Sequence, residues 1–272
     1  MTGKVAVIMS IYHSDSVNYT SLAIESILNQ SYQNFDFYIR ADGKLTSDVY
    51  ELLSKYSNNP KVFIEYDDVN KGLAYRLNQM LDTVVQVGGY EFVARMDADD
   101  ISRHDRIERQ VRHLNDNINT DVIGSDVIEI DGFGNKLFHK RMSSSHVDIL
   151  RGVIKKCPFN HPTVMFRTDL FVAGFRYKSW LMNTQDYYLW VDLLAANKHF
   201  ENINEPLLYF RVDNDFHHRR GWSKAVNDFN SRMYAFRKLD ILNLSNVIHV
   251  VMLFFLRLSP AFIKKAAYRF LR

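Results

Sequence analysis

The first hundred residues alternate between short apolar runs and longer stretches with apolar side chains at helical spacing, and this alternation constrains the fold more than any other feature. Val5 to Met9 is an unbroken apolar run, as expected of a strand buried on both faces. Thr20 to Gln30, carrying Leu22, Ile24, Ile27 and Leu28, predicts a helix. Phe35 to Arg40 and Val62 to Glu65 read as further strands. Leu73, Leu77, Met80, Leu81 and Val84 mark one helical face, and Gly88-Gly89 then turns the chain into a fourth strand, Tyr90 to Met96. The pattern predicts an α/β fold with a mostly parallel central sheet flanked by helices.

Beyond Asp121 strand patterns dominate, at Val122 to Ile130, Thr163 to Arg167 and Leu207 to Val212, with a turn at Asp131-Gly132 and a helix from Asp186 to Ala196. No repeat or low-complexity linker breaks the chain. One domain over residues 1–213 followed by an extension over 214–272 is the simplest division. The formal charge of +3 is too small to mark a nucleic-acid binder, and none is expected as a partner. The charge is uneven, however. From Arg219 to Arg272 the acids are Asp228 and Asp240, against Arg219, Arg220, Lys224, Arg232, Arg237, Lys238, Arg257, Lys264, Lys265, Arg269 and Arg272. A lone cysteine, Cys157, and a start without a signal-peptide pattern predict a reducing, cytoplasmic location. The run Val247 to Leu256, interrupted by His249, is too short to span a bilayer.

The most reactive-looking segment is Arg95-Met96-Asp97-Ala98-Asp99-Asp100. It ends the fourth strand, and Ser102 is placed to cap a following helix with Ile107, Val111 and Leu114 on its apolar face. In open α/β sheets ligands bind beyond the carboxyl ends of the strands. Three carboxylates so close repel one another unless a cation or donor array offsets them, and hard oxygen ligands suit Mg²⁺ or Mn²⁺ bridging to phosphates. A solvated acidic turn that caps the next helix is the plain alternative.

Six segments in order resemble glycosyltransferase family 2, inverting enzymes of the GT-A fold, over roughly Val5 to Val212. They are Val7 to Tyr12, Ala23 to Tyr32, Asn70 to Ala74, Ala94 to Asp100, His161 to Arg167, and Gln185 to Trp190. The resemblance implies a nucleotide-sugar half over about residues 1–120 and an acceptor half over about 121–213. It implies that Asp97 approaches the ribose and metal, that Asp99 binds the metal, and that Asp100 supports the turn or contacts the sugar. Mn²⁺ or Mg²⁺ would be the cofactor and a UDP-sugar the donor. Asp42 stands where the family binds the nucleoside, although Asp42-Gly43 is also a generic turn. Arg76 lies one residue before the position where many members carry a nucleotide-binding arginine, so a solvated helix arginine is an equal reading.

Asp186 matches the acid the family uses as base; its neighbour, commonly Glu, is Gln185 here. As a plain alternative, Asp186 caps the helix that follows. His161 and Trp190 fall in segments beside the acceptor, with structural roles as alternatives. Many relatives place a metal-binding His where this chain has Asp213, and His217 or His218 follows shortly. Apolar and basic residues interleave from Asn246 to Arg272 as in helices lying in a membrane interface, or the same helices pack on the domain. The resulting expectation is a glycosyltransferase peripheral on the inner face of the cell membrane. It would act on a saccharide acceptor linked to polyprenyl diphosphate in O-antigen or capsule synthesis. Two other readings are a sugar nucleotidyltransferase, which would want a glycine-rich basic loop that Ser10 to Asp15 lacks, and a non-catalytic sugar-nucleotide-binding module.

Overall fold

The apolar run near the N-terminus becomes the central strand of the parallel region, β1 (Val5–Ile11), with six of its seven residues buried. The computed structural model describes residues 3–212 and 222–259. In chain order there follow α1 (Val17–Leu28), β2 (Phe35–Ala41), α2 (Ser47–Ser54), β3 (Val62–Glu65), α3 (Leu73–Val87), β4 (Phe92–Met96), β5 (Ile101–Ser102) and α4 (Arg106–Asp116). The second half contains β6 (Val122–Ile130), β7 (Lys136–Lys140), α5 (His146–Gly152), β8 (Met165–Arg167), α6 (Asp169–Val172), α7 (Gln185–Ala195) and β9 (Phe200–Arg211). Two helices, α8 (Trp222–Leu239) and α9 (Leu244–Leu258), end the described chain.

The sheet runs β3-β2-β1-β4-β8-β6-β9-β5, with β7 paired to β6. Its first four strands are parallel, successive strands being joined through α1, α2 and α3, which return the chain to the same end of the sheet. Past β4 the sheet is mixed: β8 runs antiparallel to both β4 and β6, while β6 and β9 pair in parallel. One apolar layer packs α1 and α4 on one face; the other packs α3, α7 and the inner sides of α8 and α9 on the opposite face.

Register decides where function can sit. Met9 pairs with Met96, and Ile11 with Ala41, so β1, β2 and β4 finish together and deliver Tyr12, Asp42 and Asp97 to one edge. One expected cap is corrected here. Ser102 lies in β5, where its hydroxyl accepts from Gln30, and α4 begins later, at Arg106 after Asp105. The reason is tertiary: β5 pairs with Leu208 and Tyr209 of β9, which extends the chain beyond the acidic cluster before any helix can start.

Among the described residues no helix is long and apolar enough to cross a membrane. The C-terminal helices pack on the domain. Tyr234 of α8 stacks near Tyr188 of α7, and Phe254 of α9 meets Trp222 and Phe229 of α8.

Candidate active site

At the carboxyl ends of β1, β2 and β4 opens a cavity of about 510 Å³ lined by Tyr12, Asp15, Asp42, Asn70, Asp97 and Asp99, among others. That size is ample for a small ligand. Asp42 forms its floor. Its two carboxylate oxygens accept the backbone N–H groups of Lys71 at 2.8 Å and Gly72 at 2.9 Å, and Oδ1 also accepts Arg76 Nε at 2.9 Å. Gly43 beside it has φ +90°, and a Cβ there would meet the Asn70 backbone nitrogen at 3.1 Å. Glycine is therefore required for the two loops to close on each other.

Arg76 is buried, 1% exposed. Its remaining nitrogens reach Gln79 Oε1 at 2.7 Å, Asp67 Oδ2 at 2.8 Å and the carbonyl of Val69. The reading of Arg76 as a solvated helix arginine is corrected: its guanidinium is turned inward and props Asp42 from behind. The one-residue offset from the familiar position, about 100° around a helix, is the physical reason.

The acidic cluster leaves β4 with three different environments. Asp97 is held by the buried guanidinium of Arg95. Asp99 is exposed at the cavity wall. Asp100 is buried, and its Oδ1 accepts the Arg211 backbone N–H at 2.8 Å while Oδ2 has no partner among the described residues. Burial, followed by the charges of Asp99 and Asp97, holds the Asp100 carboxyl well above the usual range. Arg211 closes the turn, donating from Nε to the Asp99 carbonyl at 2.9 Å and from Nη1 to the Asp131 carbonyl at 2.8 Å.

Across the cavity Asp15 accepts the Tyr12 N–H at 2.9 Å. Burial, only partly offset by that bond, and then the charges of Asp99 and Asp97 push its carboxyl up to about 7. Acids crowded enough to raise one another's proton affinity are what a divalent cation relieves. One oxygen from each of Asp97, Asp99 and Asp100 falls within 4.8 Å of the others. The orphaned Asp100 oxygen and the all-carboxylate donor set fit a hard cation.

Asp186 is the second residue of α7 rather than its cap, which is Thr184. Burial raises the Asp186 carboxyl, while the Tyr187 N–H and the charge of Arg95 pull it partly back. Thr184 has φ +63°, an outlier for a β-branched residue, so the chain enters this helix under strain. Behind Asp186, His161 Nε2 meets Tyr177 OH at 2.9 Å, and burial plus the nearby Arg95 charge keep His161 well below its ordinary value. Arg95 is felt by Asp97, Tyr177, His161 and Asp186 alike, and its Nε and Nη1 are buried without partners among the described residues. It is the electrostatic link between the cavity and Asp186.

Trp190 is fully buried, stacked on Phe166 at 5.6 Å and edge-on to Phe159 at 5.0 Å. Of the two readings open for Trp190, the structure shows core packing: one turn beyond Asp186 the α7 face points inward. Asp213, His217 and His218 lie outside the described residues. Sequence reasoning missed Tyr12 and Asp15, whose place just past the first strand was an available signal, and Arg95 and Arg211, whose roles depend on tertiary pairing.

Comparisons with known proteins agree with this geometry. The family model for glycosyl transferase family 2 matches residues 6–178. An Escherichia coli UDP-Gal:alpha-D-GlcNAc-diphosphoundecaprenol beta-1,3-galactosyltransferase is 28% identical over 98% of this chain and 96% of its own. Among solved structures, Staphylococcus aureus TarS with UDP-GlcNAc superposes with a TM-score of 0.69 at 16% identity, covering 93% of this chain and 72% of TarS. The mannosyltransferase PcManGT of Pyrobaculum calidifontis, with GDP-Man and Mn²⁺, gives 0.62 at 15% identity, covering 99% of this chain and 76% of that one. Fold, sequence model and full-length similarity converge: the chain belongs to glycosyltransferase family 2 and has the GT-A fold.

Proposed function

We propose that the protein transfers a hexose or N-acetylhexosamine from a UDP-sugar, with inversion, to a saccharide linked to polyprenyl diphosphate, in the assembly of a bacterial O-antigen or capsule precursor. The observation that carries this reading is the division of labour among its carboxylates. Asp97 and Asp99 face a ligand-sized cavity, whereas Asp186 lies apart at the start of α7 with a raised proton affinity. Full-length similarity to an enzyme named for a diphosphoundecaprenol-linked acceptor supports the acceptor class.

In this mechanism Asp42 and the loops it ties together bind the nucleoside, and Asp97 and Asp99, with Asp100 behind them, hold Mn²⁺ or Mg²⁺. The cation, when bound, supplies Lewis-acid stabilisation of the departing diphosphate. An acceptor hydroxyl attacks the anomeric carbon as the bond to the UDP oxygen breaks, and its proton passes to a carboxylate oxygen of Asp186. Burial suits Asp186 to this task, because a carboxylate with raised proton affinity is a better base. Arg95 fixes Asp97 on one side and moderates Asp186 on the other.

Membrane association belongs to the same reading. On α9, Leu244, Ile248, Val251, Met252, Phe255 and Leu258 are exposed along one stripe, which suits shallow burial in an anionic cytoplasmic leaflet where a lipid-linked acceptor resides.

Two substitutions test the chemistry. Asp186→Asn should keep UDP-sugar binding by calorimetry while turnover falls on the order of 10²–10⁴-fold. Asp99→Ala should abolish the enhancement of UDP binding by Mn²⁺. Retained turnover in the first, or Mn²⁺-independent binding by the native protein, would overturn the assignment.

A further inference from the structure

Close to Asp186 the two C-terminal helices bring together a set of nitrogens without counter-charges among the described residues. Arg232 of α8 lies over the ring of Tyr187, the residue after Asp186, at 3.9 Å. Its Nε is buried with no hydrogen-bond partner among the described residues, and Nη1 donates to Ser231 Oγ at a long 3.4 Å. His249 of α9, whose ring is also bonded to the backbone of Lys155, likewise has a buried Nε2 with no partner among the described residues. Lys155, on the loop after α5, donates from Nζ to Ser245 Oγ at 3.2 Å. The nearest acid of α8, Asp228, is already engaged by Arg257 at 2.8 Å and Lys224 at 3.9 Å.

Among the described residues, then, Arg232, His249 and Lys155 have no carboxylate partner. Burial and the charges of Arg232 and Lys155 depress the proton affinity of His249, as expected where positive groups converge without an anion. The charge of Arg232 is also felt at Cys157, whose Sγ is 4.0 Å from Asp186 Oδ2. The set therefore neighbours the acid assigned as base.

Buried donors left unmade are expensive, and they are retained where a ligand completes them. We propose that Arg232, His249 and Lys155 form an anion site that takes the phosphoryl group attached to the acceptor sugar, the sugar itself lying over Asp186. This rests on the transferase reading and adds to it the residues that distinguish a phosphorylated acceptor from a neutral one. An arginine fork with a flanking lysine matches phosphate geometry, and an ester phosphate or diphosphate is the ligand class. The extension, rather than the sheet, would then set acceptor specificity.

The test compares two acceptors with the same sugar and alkyl tail, one joined through a diphosphate and one through a neutral glycosidic linkage. The native protein should favour the diphosphate, with a KM at least about tenfold lower, one decade being about 1.4 kcal/mol. Arg232→Gln should raise KM for the diphosphate acceptor by about that factor and leave the neutral acceptor unchanged; Arg232→Lys should recover part of it. Lys155→Gln, at an exposed position, should act in the same direction and guards against a folding defect at Arg232. Equal KM changes for both acceptors, or none, would overturn the proposal.

Two controls separate it from its premise and from lipid headgroups. Binding of inorganic pyrophosphate in the presence of saturating UDP should weaken in Arg232→Gln even if no UDP-sugar is turned over, so failure of the transferase reading remains distinct. If Arg232→Gln instead loses binding to phosphatidylglycerol vesicles with KM unaltered, the anion is a bilayer headgroup and the acceptor assignment falls.

Discussion

Asp42 ties two loops together while it still faces the cavity. It caps the Lys71-Gly72 turn, neutralises Arg76 and still lines the cavity. Removing one partner of a buried ion pair leaves an uncompensated charge, so Asp42→Ala should cost about 3–5 kcal/mol in urea unfolding. It should also weaken UDP binding, whereas Tyr12→Ala should weaken UDP binding with little loss of stability. Asp186 makes the complementary case. Its carboxyl is raised by burial, so its ionised form opposes folding at pH values above that raised value. Asp186→Asn should therefore raise Tm at neutral pH, the gain fading as pH falls from the raised value to the ordinary carboxylate range; in the native enzyme the acid limb of kcat should lie above that range. Asp97, Asp99, Asp42 and Asp186 were legible because each stands at a strand end or helix start with its acid type intact. Arg95 and Asp15 were not, since neither a buried guanidinium facing two sites nor an acid across a cavity leaves a local pattern.

At the scale of elements, the chain is most informative where local preference is overruled. Ser102 has the chemistry of a helix cap, yet pairing with β9 makes it strand, and α4 starts three residues after Arg103 behind Asp105. A two-residue strand such as β5 cannot be read from periodicity, because its existence depends on a partner a hundred residues away. The long buried run of β1 and the helical face of α3 were legible for the opposite reason: their patterns span whole elements. Thr184 marks a second override. Holding a β-branched residue at positive φ costs of order 1–3 kcal/mol, against about 0.5–1 kcal/mol of chain entropy that glycine would add. Thr184→Gly should raise Tm by a few degrees without raising kcat, and thermal unfolding with parallel kinetics checks both.

For the whole molecule, the basic bias after Arg219 was visible in the composition, but the packing of α8 and α9 was not. The inner side of α9 buries Asn246 and Val250, while its outer stripe stays apolar and exposed. Ile248→Glu combined with Phe255→Glu should leave the far-ultraviolet circular dichroism unchanged and abolish sedimentation with anionic vesicles; persistent sedimentation would assign membrane contact to another surface. Strand order in the remainder of the molecule also departs from chain order, with β8 inserted between β4 and β6 and β5 on the far edge.

Arg211, at the end of β9, clasps the Asp99 carbonyl and the Asp100 carboxylate. During synthesis these acids leave the ribosome roughly five to twenty seconds before the residue that fixes them, at typical elongation rates. A nascent chain can thus fold its parallel strands early while the acidic turn stays open. On the function proposed above, capacity for a tightly bound cation, and with it turnover of donor, would arrive only after β9 has been translated.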